Sequence, residues 1–90
     1  MVEITSGNPY IQTDDVRTFD SSVNDDDLVW HRDKYFREIT VLEGNDWKLQ
    51  LDNELPVILE EGKKYNIPAM EFHRVIKGTG NLTIKIWEEK

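Results

Sequence analysis

Two stretches of this chain alternate apolar and polar residues with a period of two. In "WKLQLD", Trp47, Leu49 and Leu51 alternate with Lys48, Gln50 and Asp52; in "LTIKIWEE", Leu82, Ile84 and Ile86 alternate with Thr83, Lys85 and Trp87. Successive side chains of an extended strand point to opposite faces, so this pattern predicts strands with one face covered. No window of about 12 residues places apolar positions at i, i+3, i+4 and i+7 between caps, so helices are not expected. Shorter strand candidates fill the intervals: "YIQT", "VRTF", "DLVWHR", "REITVLE", "LPVILEE", "KKYNIP" and "HRVIKG". Between them stand "EGND", "DNELP", "EEGKK" and "KGTGN", rich in the glycine, asparagine and aspartate that turns use. Short strands at close, regular spacing predict an all-β sandwich or barrel.

Ninety residues make one domain. A chain of 10.6 kDa buries roughly 64% of its unfolded surface on folding, a thin margin that makes a homodimer the expectation. The first eight residues are expected to be mobile and residues 9–90 to form the barrel domain. No apolar run approaches the roughly 20 residues that span a bilayer, and "MVEITSGNPY" lacks the basic start and apolar stretch of a signal peptide. With no cysteine the chain has neither disulfides nor thiolate chemistry. A cytoplasmic protein is expected, without a membrane partner. The net charge of −7 is uneven: residues 1–30 carry −6 and residues 31–90 carry −1. The acidic segment repels polyanions and no basic stripe with interleaved aromatics appears, so nucleic acid is not an expected partner.

Two segments, "HRDKYFREITVLEG" (31–44) and "GKKYNIPAMEFH" (62–73), resemble the two sequence motifs of the cupin superfamily, small β-barrels of the jelly-roll type. His31 takes the first histidine place and Gly44 the closing glycine, with the common "VLEG" ending; Asp33 stands where the second histidine belongs and Arg37 where the glutamate belongs. In the second motif Gly62, Pro68 and His73 keep their places, while Met70 occupies the inner glycine position. The resemblance covers about residues 27–88. It implies an all-β, cupin-type jelly-roll barrel (double-stranded β-helix) whose cavity gathers His31, Asp33, Arg37 and His73.

The residues constrain how that gathering happens. Residues 31 and 37 on one extended strand lie about 20 Å apart, too far to share an ion, so a turn must intervene. "DKYF" is the candidate turn, folding "DLVWHR" against "REITVLE" as an antiparallel hairpin. Barrel closure then brings His73 to the pair.

Two imidazoles and a carboxylate suffice for a facial triad on iron(II), and also suit manganese, nickel or zinc. The chain has only two histidines, and both fall at cupin ligand positions. Asp33 reads equally as a turn residue and as a ligand. Arg37 cannot donate a lone pair to a metal; facing the cavity, it pairs with Asp33 or grips a ligand carboxylate or phosphate. Arg37 and Gln50 are the candidate ligand-binding side chains, and Met70 is expected to narrow the cavity mouth. The arrangement of His31, Asp33 and a distant His73 also resembles the iron and 2-oxoglutarate oxygenases, but Thr83 stands where those place a basic residue. "NDDD" (24–27) lacks the alternating acids of an EF-hand and reads as a solvated loop. The functional expectation is a small cupin binding a small polar molecule and a divalent transition metal. Two alternatives stand beside it: a metal-dependent oxygenase, isomerase or lyase using His31, Asp33 and His73, and a structural protein with a filled barrel.

Overall fold

The computed structural model describes residues 10–89. The expected mobile segment 1–8 lies outside them. Eight strands run β1 (Tyr10–Thr13), β2 (Val16–Phe19), β3 (Phe36–Asn45), β4 (Lys48–Leu51), β5 (Val57–Ile58), β6 (Lys64–Ile67), β7 (His73–Ile76) and β8 (Thr79–Glu89), with one 3₁₀ turn at Asp25–Asp27. No helix among the described residues is long and apolar enough to cross a membrane.

The strands form two antiparallel sheets. The larger has the order β1-β2-β8-β3-β6 and the smaller β5-β4-β7. The alternation legible in the sequence orients both. Leu49 from the smaller sheet, with Trp47 just before β4 and Leu59 just after β5, meets Phe19, Ile39, Val41, Ile67, Leu82 and Ile84 from the larger one. Trp47 and Leu82 are fully buried, while Lys85 and Trp87 face out.

Turn chemistry sits where the strands need it. Asp14, Asp46 and Asn53 carry positive φ, the conformation that short polar side chains tolerate best. In "EGND" the left-handed residue is Asp46, not the glycine or asparagine before it.

"DLVWHR" does not form a strand, and the expected hairpin is absent. β3 pairs with β8 on one side and with β6 on the other, so both its edges are taken. Residues 28–35 instead cross as irregular chain, touching the smaller sheet at one rung, His31 to His73. There His31 N donates to His73 O at 3.0 Å and His73 N donates to His31 O at 2.8 Å. A second tether holds this segment where Met70 N donates to Asp33 O at 2.7 Å.

Candidate metal centre and cavity

His31 and His73 sit on that rung, so their rings are neighbours because their backbones are. The ring centroids are 4.3 Å apart and set edge-to-face. Nδ1 of His31 lies 3.1 Å from the Val29 carbonyl and Nδ1 of His73 lies 2.9 Å from the Glu71 carbonyl. A carbonyl only accepts, so each Nδ1 carries a proton, and in a neutral ring the lone pair is then on Nε2. Tethering the far nitrogen in this way is how proteins orient imidazoles that ligate metals.

Asp33 completes the group. Its Oδ2 is fully buried and lies 3.2 Å from both His73 Nε2 and Arg37 Nη1, yet neither contact is aligned as a hydrogen bond. With His73 in the tautomer that Glu71 imposes, two lone pairs face each other across 3.2 Å, an arrangement that repels unless a cation or a proton lies between them. That separation is close to the about 3.3 Å between ligands on a tetrahedral ion with bonds of about 2.0–2.1 Å. One donor atom from each of His31, Asp33 and His73 falls within 4.8 Å of the others. His73 is 3% exposed; burial, followed by the nearness of His31, pushes its imidazole below its ordinary pKa, against the Glu71 carbonyl, which pulls it up. The neutral form, the one that ligates, is favoured.

Arg37 stands behind the carboxylate. Nη1 reaches Asp33, and Nε donates to Glu88 at 2.7 Å. Of the two roles open to Arg37, pairing with Asp33 is the one its geometry displays. It sets a positive charge against the buried face of the carboxylate.

Beside these residues is a cavity of about 250 Å³ between the sheets, lined by His31, His73, Arg37 and Arg17 and otherwise mainly by apolar side chains that include Ile39, Leu49, Val75, Ile84 and Ile86. Gln50 is not among the lining residues. It follows the alternation of β4 to the outer face, where it accepts from Arg74 Nε and donates to the Glu54 carbonyl, both at 2.9 Å. Met70 is also absent from the lining and is 51% exposed, so it does not narrow the mouth.

Arg17 was hidden in the sequence within the short strand "VRTF". The signal that finds it is position: it is two residues before the buried Phe19 and opposite Ile84 on β8, so it shares the inner face of the larger sheet. Glu88, two residues after Ile86, shares that face for the same reason.

No protein-family model matches the sequence, and no curated protein matches it. Solved structures do. One, of the DMSP lyases RdDddP and RnDddQII, superposes with a TM-score of 0.67 and 21% identity over 82% of this chain. The chain spans 36% of that protein's length. A candidate mannose-6-phosphate isomerase from Ralstonia eutropha JMP134 superposes with a TM-score of 0.59 and 14% identity, covering 87% of this chain and 77% of its own. Protein NMB1881 from Neisseria meningitidis gives 0.56 and 19%, covering 90% and 80%.

The chain has a cupin-type fold.

The cupin anchors now have physical reasons. Gly62 has φ +83° in the turn before β6, a conformation glycine enters without steric cost. Gly44 lies so close to the core that a Cβ there would sit 2.9 Å from Leu82 Cδ1. Met70, at the inner glycine place, has φ +65°, the left-handed conformation that glycine enters most easily.

Proposed function

We propose that this cupin-fold chain binds a divalent transition metal through His31, Asp33 and His73, and a small polar molecule in the adjoining cavity. The observation that carries this reading is the meeting of two imidazoles, each tethered through Nδ1, with a buried carboxylate oxygen that makes no hydrogen bond. Buried polar atoms without a hydrogen bond are uncommon in native structures; Asp33 Oδ2 has only the unaligned contacts to Arg37 and His73, which leaves its lone pairs available to a bound ion. Iron, manganese, nickel or zinc held there supplies a Lewis acid with only three protein ligands. Arg37 holds Asp33 for the ion and contributes its charge to the cavity wall.

A second reading, a metal-dependent enzyme of oxygenase, isomerase or lyase type, is favoured by one observation: the three-ligand set borders a cavity instead of being enclosed by a fourth protein ligand. Structural neighbours described as a lyase and as a candidate isomerase agree with that class. The cavity weighs against a barrel filled by its own side chains. The reading includes cytoplasmic residence and a homodimer, the latter supported by Leu55, Val57 and Ile58, exposed at and beside the edge strand β5.

Elemental analysis of untagged protein tests the metal. Near-stoichiometric transition metal is expected in the wild type and at most a small fraction of it in His31→Ala and His73→Ala. Adding metal to stripped protein at a hundredfold excess over Kd should stabilise the fold by about 2.7 kcal/mol. Stripped protein that takes up no metal and melts unchanged would overturn the reading.

A further inference from the structure

The inner face of the larger sheet carries two arginines, and their circumstances differ. Arg37 is held by Asp33 and Glu88. Arg17, on the other side of β8, has no carboxylate within ion-pair distance among the described residues. Its Nε donates to Gln12 Oε1 at 2.9 Å, and its guanidinium lies 3.8 Å from the centre of the Tyr10 ring. Those contacts fix the side chain's direction without neutralising it, and no described residue accepts from its two terminal nitrogens. Asp27 also borders the cavity but forms no ion pair with Arg17.

Burial works against this cation and lowers its pKa, a cost that Tyr10 and the more distant carboxylates of Asp33 and Glu88 offset only in part. A guanidinium nonetheless stays protonated. A partly desolvated cation that lines a cavity, is aimed by stacking and has no carboxylate at contact distance among the described residues is placed to receive an anion. Beside the polar groups of His31, His73, Arg37 and Asp27, the wall is mainly hydrocarbon, with Phe19, Ile39, Val75, Ile84 and Ile86.

We propose that Arg17 anchors the anionic group of the cavity's ligand, a small organic acid or phosphate whose remaining body is apolar. The inference deepens the ligand half of the reading above and does not need the metal. The volume of about 250 Å³ lies just below the about 300 Å³ at which pockets for drug-sized ligands begin, so the ligand is a few carbons long.

The test uses full-length protein passed over chelating resin, so that the metal plays no part. Butyrate, inorganic phosphate and the neutral isostere butyramide are titrated at constant ionic strength by calorimetry. The Arg17 Nε–H resonance is followed in parallel. Saturable binding of butyrate with a shift of that resonance supports a carboxylate; saturable binding of phosphate with the same shift supports a phosphate. In either case Arg17→Met should weaken binding roughly tenfold to hundredfold, Arg17→Lys should retain part of it, and butyramide should bind at least tenfold more weakly than butyrate. The inference is overturned if neither anion binds the wild type, if butyramide equals butyrate, or if the Nε–H resonance stays still at saturation. The last two measurements need no variant, so a poorly folded Arg17→Met leaves the outcome decidable. Anion binding without metal uptake would remove the metal reading and leave this one standing; metal uptake without anion binding would do the reverse.

Discussion

At the scale of single residues, the centre is defined by what each polar atom is already doing. The Nδ1 atoms are committed to carbonyls, Arg37 to two carboxylates, and the Asp33 oxygen to nothing well aligned. This commitment has a pH signature. His73 has a folded pKa below its ordinary 6.5, chiefly through burial. Its contribution to stability is thus present above the unfolded pKa, erodes as pH falls below that value because the unfolded chain takes up the proton first, and is gone once pH lies under the folded pKa. Urea unfolding of metal-free protein between about pH 5 and pH 8, the span in which histidine titrates, should show stability falling toward the acid end, with a shallower fall in His73→Asn. Equal slopes in the two proteins would contradict the assignment. Residue identity made His31, Asp33 and His73 legible as a group, since both histidines fell at cupin ligand places. It could not reveal Arg17 or Glu88, because their inward direction depends on strand register, which emerges only when β2 and β3 pair with β8.

At the scale of elements, the strands were the most legible feature, because period-two alternation is a local property of the chain. "DLVWHR" misled because three successive apolar residues, Leu28, Val29 and Trp30, carry no periodicity, and because a strand needs a free edge to pair with. Which edges are free is settled by the whole sheet. Asp33 therefore belongs to an irregular crossing, not a hairpin turn, and it is placed by its own carbonyl accepting from Met70 N. The turn that makes this bond is strained: a non-glycine residue in the left-handed region costs about 1–2 kcal/mol, and Met70 occupies it at φ +65°. Met70→Gly relieves that strain but gives the unfolded chain more freedom, at a cost of roughly 0.5–1 kcal/mol. The net expectation is a stabilisation of up to about 1 kcal/mol, and a destabilisation in Met70→Val, whose branched Cβ suits the conformation least. Thermal melts of the three proteins check the order, and a glycine variant that melts below wild type would refute the strain.

At the scale of the whole molecule, two sheets with unequal strand numbers leave the smaller one with an outer edge at β5. Val57 and Ile58 are 46% and 49% exposed on it, with Leu55 at 85% just before. An exposed apolar edge is an invitation to pair with another chain. Sedimentation equilibrium should return about twice the 10.6 kDa of one chain, and Ile58→Lys should shift the population toward the single chain. A wild type that sediments at 10.6 kDa across micromolar concentrations would dismiss the dimer. The fold could be inferred from motif spacing; the small size of the chain made a homodimer the expectation, but which edge would pair could not be read, because edge exposure is a property of the finished sheets.

The rung between residues 31 and 73 is made wholly of main-chain atoms. Side chains other than proline can ride on such a rung where they fit, so its two hydrogen bonds do not themselves depend on the imidazoles displayed there. Replacing either ring with a side chain of similar size would therefore alter what the rung displays while leaving its main-chain bonds in place, so display and support are separable at this point of the fold.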